Sequence, residues 1–352
     1  MNISHLKRES NFELLRILAM LMIVASHYAV HGVGFDNWMA GTFVNRCLIV
    51  IFYPCGEIGV ALFFMLSGYF LILKDRVSVK KVFLTTVFYA LISVLFYIFS
   101  IGIKSLLDIV HIARFMLIPV TSGNWWFVTV YVILVLFAPY INLFLRKLNK
   151  RQYILVLCGT WFFLYVLGSF YGVLFAALQK AFLFYTLGAY FRLHQKENAK
   201  KLLCLLGILF SVFFTVFFSY KFLKSYTPSA QNTTQEFYRI CVTGFCVPAC
   251  AVFLFLIFQK LKLAPNHIIN GIAACTFGVY LFHDSPFNRE LIWGGVLMTE
   301  KQFSSQLCPL LALASIFSVF ILGVLIEKIR MHFFEPFAVR LTDSVLERFW
   351  RK

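Results

Sequence analysis

The sequence predicts an all-α polytopic integral membrane protein, a bundle of about ten transmembrane helices with both termini cytoplasmic. Three observations predict it. Of 352 residues, 61% are hydrophobic and only 13% charged, with a mean hydropathy of +0.83. A soluble domain of this length needs far more polar surface. Apolar runs of about 17–25 residues recur, each bounded by charge, the length a helix needs to cross a bilayer. The basic residues also segregate to alternate connecting segments, as they do in inserted helical bundles. A membrane β-barrel would show alternating segments of about ten residues, a pattern this sequence lacks.

The expected spans, in order, are 12–31, 48–73, 82–101, 126–145, 153–168, 172–191, 202–220, 239–258, 268–284 and 309–327. The fifth and ninth are the least apolar or the shortest. The first is too long, and too rich in histidine, for a cleaved signal peptide, and further spans follow it. After the tenth, "FEPFAVRLTDSVLERFW" alternates apolar and charged residues at helical spacing. It is expected to form an interfacial helix on the inner leaflet, within a cytoplasmic tail over 332–352.

The net charge of +17 invites a nucleic-acid reading, but its distribution points to topology instead, and no nucleic-acid partner is expected. With the N-terminus inside, most of the 32 lysines and arginines fall in the inner segments, among them Lys74, Arg76, Lys80 and Lys81, then Arg146 to Arg151, then Arg192 to Lys201. That inner charge could also meet anionic lipid or an anionic soluble ligand. Of the nine cysteines, Cys158, Cys204, Cys246, Cys250 and Cys275 fall within spans and serve as small apolar fillers. There is no CxxC pair, which argues against a redox motif or a metal site, and no metal is expected. Asn232-Thr233-Thr234 fits a glycosylation sequon, a short pattern that often occurs by chance.

The first span, "RILAMLMIVASHYAVH" at 16–31, carries the first chemistry-bearing residues. From Arg16 to His27 is eleven residues, or three turns plus about 20° of rotation. The two side chains therefore share a face, about 16 Å apart along the axis. His31 follows about 40° further round. Arg16 could snorkel to the inner interface or pair with Glu13 at i−3, and His31 could snorkel outward. His27 lies too deep for that. An ionisable group at such depth faces the bundle interior or a wet cavity, and imidazole suits proton transfer near neutral pH. Other polar groups fall at comparable depth or at the outer mouth: Glu57, Ser67, Asn124, Trp125, Trp126, Lys180, His283 and the hydroxyls of Tyr131, Tyr185 and Tyr280. The tryptophans also suit an interfacial belt, and Lys180 could snorkel outward.

Four blocks in order resemble the membrane-bound acyltransferase-3 family across nearly the whole chain. "NFELLRILAMLMIVASHY" has the family's first-helix arginine and histidine, separated by ten residues, at Arg16 and His27. "GVALFFMLSGYFLI" resembles its FFxxSG block. "NWWFVTVYVILVLFAPYIN" resembles the span opened by a tryptophan-aromatic pair and closed near a proline. "CTFGVYLFHDSP" resembles the late block with a tyrosine and then a histidine three residues on, here Tyr280 and His283. One departure stands out. Many members carry Arg-x-x-Arg after the second span; this chain has "KDRVSVKKVF", whose lysines lack the guanidinium fork.

The resemblance implies a single transmembrane acyltransferase domain over 1–352, of the standalone type without an appended esterase-like domain, multi-pass in a bacterial plasma membrane. It implies an O-acyltransferase that takes an acyl group, commonly acetyl, from cytoplasmic acyl-coenzyme A as cosubstrate, with no permanently bound cofactor. The acceptor would be a hydroxyl of a surface polysaccharide or envelope glycolipid. On that reading His27 is the general base or a transient acyl carrier. Arg16, Arg76 and Lys80 meet the donor, and Glu57, Asn124, Trp126, Lys180 and His283 line the acceptor side. The alternative is a transporter or flippase for a lipid-linked or small anionic solute, where intramembrane Arg, His and Lys are equally expected.

Overall fold

The computed structural model describes residues 9–34, 37, 40–100, 102, 105–117, 125–167, 173–194, 200–225 and 238–350. Asn124 and the sequon at 232–234 lie outside them. Among the described residues every regular element is helical. Eight helices among the described residues are long and apolar enough to cross a membrane: Ser10–Val33, Phe43–Leu71, Lys80–Phe99, Trp126–Lys147, Leu174–His194, Lys201–Ser225, Ile240–Lys260 and Cys308–Arg340. Two of the ten expected spans are shorter. The fifth is a 16-residue helix, Lys150–Tyr165, and the ninth, His267–His283, is broken in two.

In chain order the helices are α1 (Ser10–His27), α2 (Phe43–Phe52), α3 (Cys55–Leu71), α4 (Lys80–Ser100), α5 (Leu106–Leu117), α6 (Trp126–Lys147), α7 (Lys150–Tyr165), α8 (Val173–His194), α9 (Lys201–Ser225), α10 (Val247–Lys260), α11 (His267–Ala273), α12 (Thr276–His283), α13 (Pro286–Arg289), α14 (Thr299–Phe303), α15 (Cys308–Ile329) and α16 (Glu335–Trp350). Among the described residues, π-helical segments adjoin them at Tyr28–Val33, Arg239–Cys246, Glu290–Val296 and Arg330–Phe334. The second span is thus two helices, divided at Tyr53–Pro54, because proline removes a backbone donor and fixes φ.

Helix α1 is the centre of the bundle and packs on α3, α10, α11, α12 and α15. Its apolar face (Phe12, Leu15, Ala19, Ile23 and Val24) is almost wholly buried. Its first turn is tied down by polar bonds. The Ser10 hydroxyl donates to Asn270 Oδ1 at 3.0 Å and accepts from the Asn266 amide at 2.8 Å, and Asn11 Nδ2 donates to the Phe258 carbonyl at 2.9 Å. With no water in the hydrocarbon to satisfy them, such groups need protein partners.

Helices α3 and α8 cross at very close range. A Cβ on Gly68 would strike the backbone of Tyr185, and one on Gly188 would strike that of Met65. Small residues at a crossing let backbones touch, which is how helices associate in lipid. Buried Asn142 of α6 joins the same region. Its Nδ2 donates to the Leu71 carbonyl (2.7 Å) and the Lys74 carbonyl (3.1 Å), and its Oδ1 accepts from the Tyr185 hydroxyl (2.7 Å). It thereby caps the open carbonyls at the end of α3. The outward apolar side chains, such as Phe210, Phe213 and Phe217 of α9, suit a lipid-facing surface.

The basic segments gather at one end of the bundle. Arg146 pairs with Asp75 at 2.7 Å. Lys81 pairs with Glu335 at 2.8 Å, and Lys80 reaches Asp343 of α16. The expected tail helix therefore forms, and its ion pairs hold it against α4.

Candidate active site

A cavity of about 550 Å³ runs along α1 from Arg16 to His31, some 22 Å of helix axis. Its basic end is bordered by Arg16, Lys81 and Glu327, and its far end by His27, His31, Tyr53, Glu57, Trp126 and Tyr238. Between them lie Met20, Ile23, Val60, Phe63, Ser67 and Phe277, mostly apolar. The shared face inferred from the first-span spacing is thus the wall of one continuous space, of the size of ordinary ligand sites.

At the far end α1 meets α12. His27 Nδ1 stands 2.9 Å from His283 Nε2, and His283 Nδ1 stands 2.6 Å from the Val279 carbonyl oxygen. A carbonyl only accepts, so His283 carries its proton on Nδ1 and offers a lone pair at Nε2. His27 must then donate from Nδ1. A neutral His27 with its proton on Nδ1 has an unprotonated Nε2, and His27 borders the cavity. The second histidine therefore sets the tautomer of the first, leaving it a base or nucleophile.

Asp284, only 3% exposed, follows directly after His283. Its Oδ1 lies 3.7 Å from His27 Nδ1, 3.6 Å from His31 Nε2 and 2.7 Å from an Arg289 nitrogen. His31 reaches it because the helix turns to π geometry at Tyr28, bringing the two imidazole rings to 5.0 Å between centroids. The π segment ends at Gly34, whose φ of 76° lies in the region that glycine adopts without steric cost.

The structure distributes the other expected residues as follows. Arg16 borders the cavity while bonding Glu13 at 2.6 Å. Glu57 and Trp126 border the far end. Lys180 is not a separate wall residue but the ion partner of Glu57, at 2.6 Å. His283, expected at the acceptor mouth, is fully buried behind His27. Arg76 is exposed and outside the cavity wall, and Lys80 points to the tail helix. Its neighbour Lys81 takes the place at the wall.

Sequence reasoning assigned no role to Asp284, Arg289, Glu327 and Arg330. Asp284 had one available signal, its position next to His283 inside an apolar run. Glu327 and Arg330 form a buried bidentate pair with both bonds at 2.8 Å, and Tyr89 donates to the same carboxylate at 3.0 Å.

A helical membrane bundle with a pair of bonded histidines at one end of an elongated inner cavity can hold a substrate within the bilayer. An acyltransferase-domain family, acyltransferase-3, matches residues 9–328, and the chain belongs to it. It is a membrane acyltransferase. No curated protein and no solved structure matches the chain.

Proposed function

We propose that this protein moves an acyl group, acetyl first among them, from acyl-coenzyme A in the cytoplasm to a hydroxyl on the other side of a bacterial plasma membrane. The acceptor is a surface polysaccharide or an envelope glycolipid. The observation that carries the proposal is the tautomer lock at His27, at the wall of a cavity that also reaches Arg16 and Lys81.

The basic end takes the donor. Arg16 and Lys81 border it, with Lys80 and Arg76 on the approach, and together they attract the donor's phosphates. The thioester end extends along the apolar stretch toward His27, about 16 Å away. At the far end Trp126 and Tyr238 offer aromatic faces and Glu57 a carboxylate, a combination that suits a sugar.

As the acceptor oxygen attacks the thioester carbonyl, His27 Nε2 takes the hydroxyl proton. The carbon–sulfur bond then breaks, and the proton passes to the departing thiolate. The imidazolium formed on the way faces the Asp284 carboxylate at 3.7 Å, which stabilises it. An acyl-imidazole route would use the same Nε2 lone pair.

The test is labelled acetyl-coenzyme A with purified protein in sealed vesicles. Free coenzyme A and a labelled, base-labile glycan ester are the expected products, and His27→Ala should abolish both. A His27→Ala protein at normal abundance that keeps more than a few per cent of the rate would overturn this role for His27. Solute flux without thioester turnover would overturn acyl transfer itself.

A further inference from the structure

His27 and His31 stand one helical turn apart and converge on a single carboxylate oxygen. The ligating atoms of His27, His31 and Asp284 all lie within 4.8 Å of one another, with Asp284 Oδ1 at 3.7 Å and 3.6 Å from the two imidazole nitrogens. Both histidines border the cavity, so the cluster is reachable from it. Acyl transfer requires only one of these histidines.

Two histidines at i and i+4 with one carboxylate form a set that zinc takes, with water completing a tetrahedron. Zinc bonds of about 2.0–2.1 Å set neighbouring ligand atoms about 3.3–3.5 Å apart. The two carboxylate separations come within about 0.4 Å of that spacing. The third requires the histidine rings to close by as much as about 1.5 Å, a movement available to His31 on its half-buried π turn. Arg289 shares the same oxygen at 2.7 Å. Its charge weakens the attraction for a cation and makes occupancy reversible.

We propose that His27, His31 and Asp284 form a reversible Zn²⁺ site, and that zinc bound there switches acyl transfer off. Zinc needs the Nδ1 lone pair of His27, so Nδ1 gives up its proton and its bond to His283. The neutral ring then carries its one proton on Nε2, and that nitrogen no longer accepts one from a hydroxyl. The site stands on the geometry alone; its effect on turnover rests on His27 as the base.

The full chain, purified in detergent and stripped with a chelator, is titrated with zinc chloride by calorimetry, without any acyl donor. One zinc per chain is expected. His31→Ala and Asp284→Asn should each weaken binding about tenfold or more, in protein that still elutes as a single folded species. His267→Ala, at an exposed histidine near the basic end, should leave it unchanged. In the turnover assay zinc should inhibit, and chelator should restore the rate. His31→Ala, compared with its own zinc-free rate, should need about tenfold more zinc. Absence of stoichiometric binding, or binding indifferent to both variants, overturns the site. Binding with undiminished turnover overturns the switch. The same binding pattern in protein that turns over no thioester supports the site and counts against the acyl-transfer reading.

Discussion

His27 Nδ1 and His283 Nε2 stand 2.9 Å apart although 256 positions separate them in the chain. The bond is directional, because the Val279 carbonyl occupies the other nitrogen of His283. His283 therefore positions His27. His283→Leu should lower kcat about a hundredfold and leave KM for the thioester nearly unchanged. His283→Gln, which can still accept from Nδ1, should recover part of the loss. Steady-state kinetics of the two variants decide the matter, and equal small losses in both would refute the positioning role.

Arg16 and Lys81 border the basic end of the cavity. Arg16→Ala and Lys81→Ala should raise the KM for acyl-coenzyme A more than they change acceptor use. Arg16→Lys should recover only part of the loss, since lysine lacks the planar fork. Donor and acceptor titrations of each variant give the comparison, and an unchanged thioester KM throughout would argue against donor contact.

Sidedness tests topology and mechanism together. In sealed vesicles of known orientation, acyl-coenzyme A should be consumed only when supplied to the face carrying loops 74–81 and 146–151, while ester appears on the other. Single-cysteine labelling in those loops reports orientation independently. Equal turnover from both faces of sealed vesicles would defeat transfer across the membrane.

The crossing of α3 and α8 gives a stability prediction. Gly68→Ala places a methyl group against the Tyr185 backbone, and overpacking of this kind costs about 1–3 kcal/mol. Gly159→Ala in α7, where a methyl group meets nothing within 4 Å, should be neutral or slightly stabilising, since alanine is the better helix former. Thermal unfolding in one detergent should separate the two clearly. A Gly68→Ala midpoint matching that of the unmodified chain would show that the contact relaxes freely.

Glu327 and Arg330 are each about 3% exposed at the side chain. Removing one partner leaves a buried charge uncompensated, at a cost of about 3–5 kcal/mol. Arg330→Met should therefore destabilise strongly, and the double change Arg330→Met with Glu327→Gln should regain much of the loss. A double-mutant cycle on the unfolding midpoint measures this, and simple additivity would show the pair to be unimportant.

The spans were legible because hydropathy over some twenty residues is a property of composition and survives any detail of packing. The shared face of Arg16 and His27 was legible for a similar reason: helix geometry is local. Glu13 as a partner for Arg16 was visible at i−3, and the bond forms. What the sequence concealed depends on long-range approach. Glu57 and Lys180 could each be placed by depth, but their pairing joins residues 123 positions apart. His31 looked like an outward-snorkelling residue on a regular α-helix, whereas the π turn beginning at Tyr28 swings it to Asp284. Arg330 counted only toward charge bias, although Glu327 at i−3 was as local a partner as Glu13 is for Arg16; what stayed hidden is the burial of that pair, which depends on the packing of other helices.

The cavity beside α1 has an electrical consequence. A transmembrane voltage drops across insulating material, and here an elongated space replaces much of that material. The field is then concentrated in the short stretch of packed protein that closes the space, where buried His283 and Asp284 lie behind His27. One elementary charge carried across the full potential exchanges about 2.3 kcal/mol per 100 mV. A charge that forms or vanishes beside that stretch can feel a large share of this over only a few ångströms. On the role proposed for His27, the energised state of the membrane is a direct input to its proton transfer, acting through no moving part.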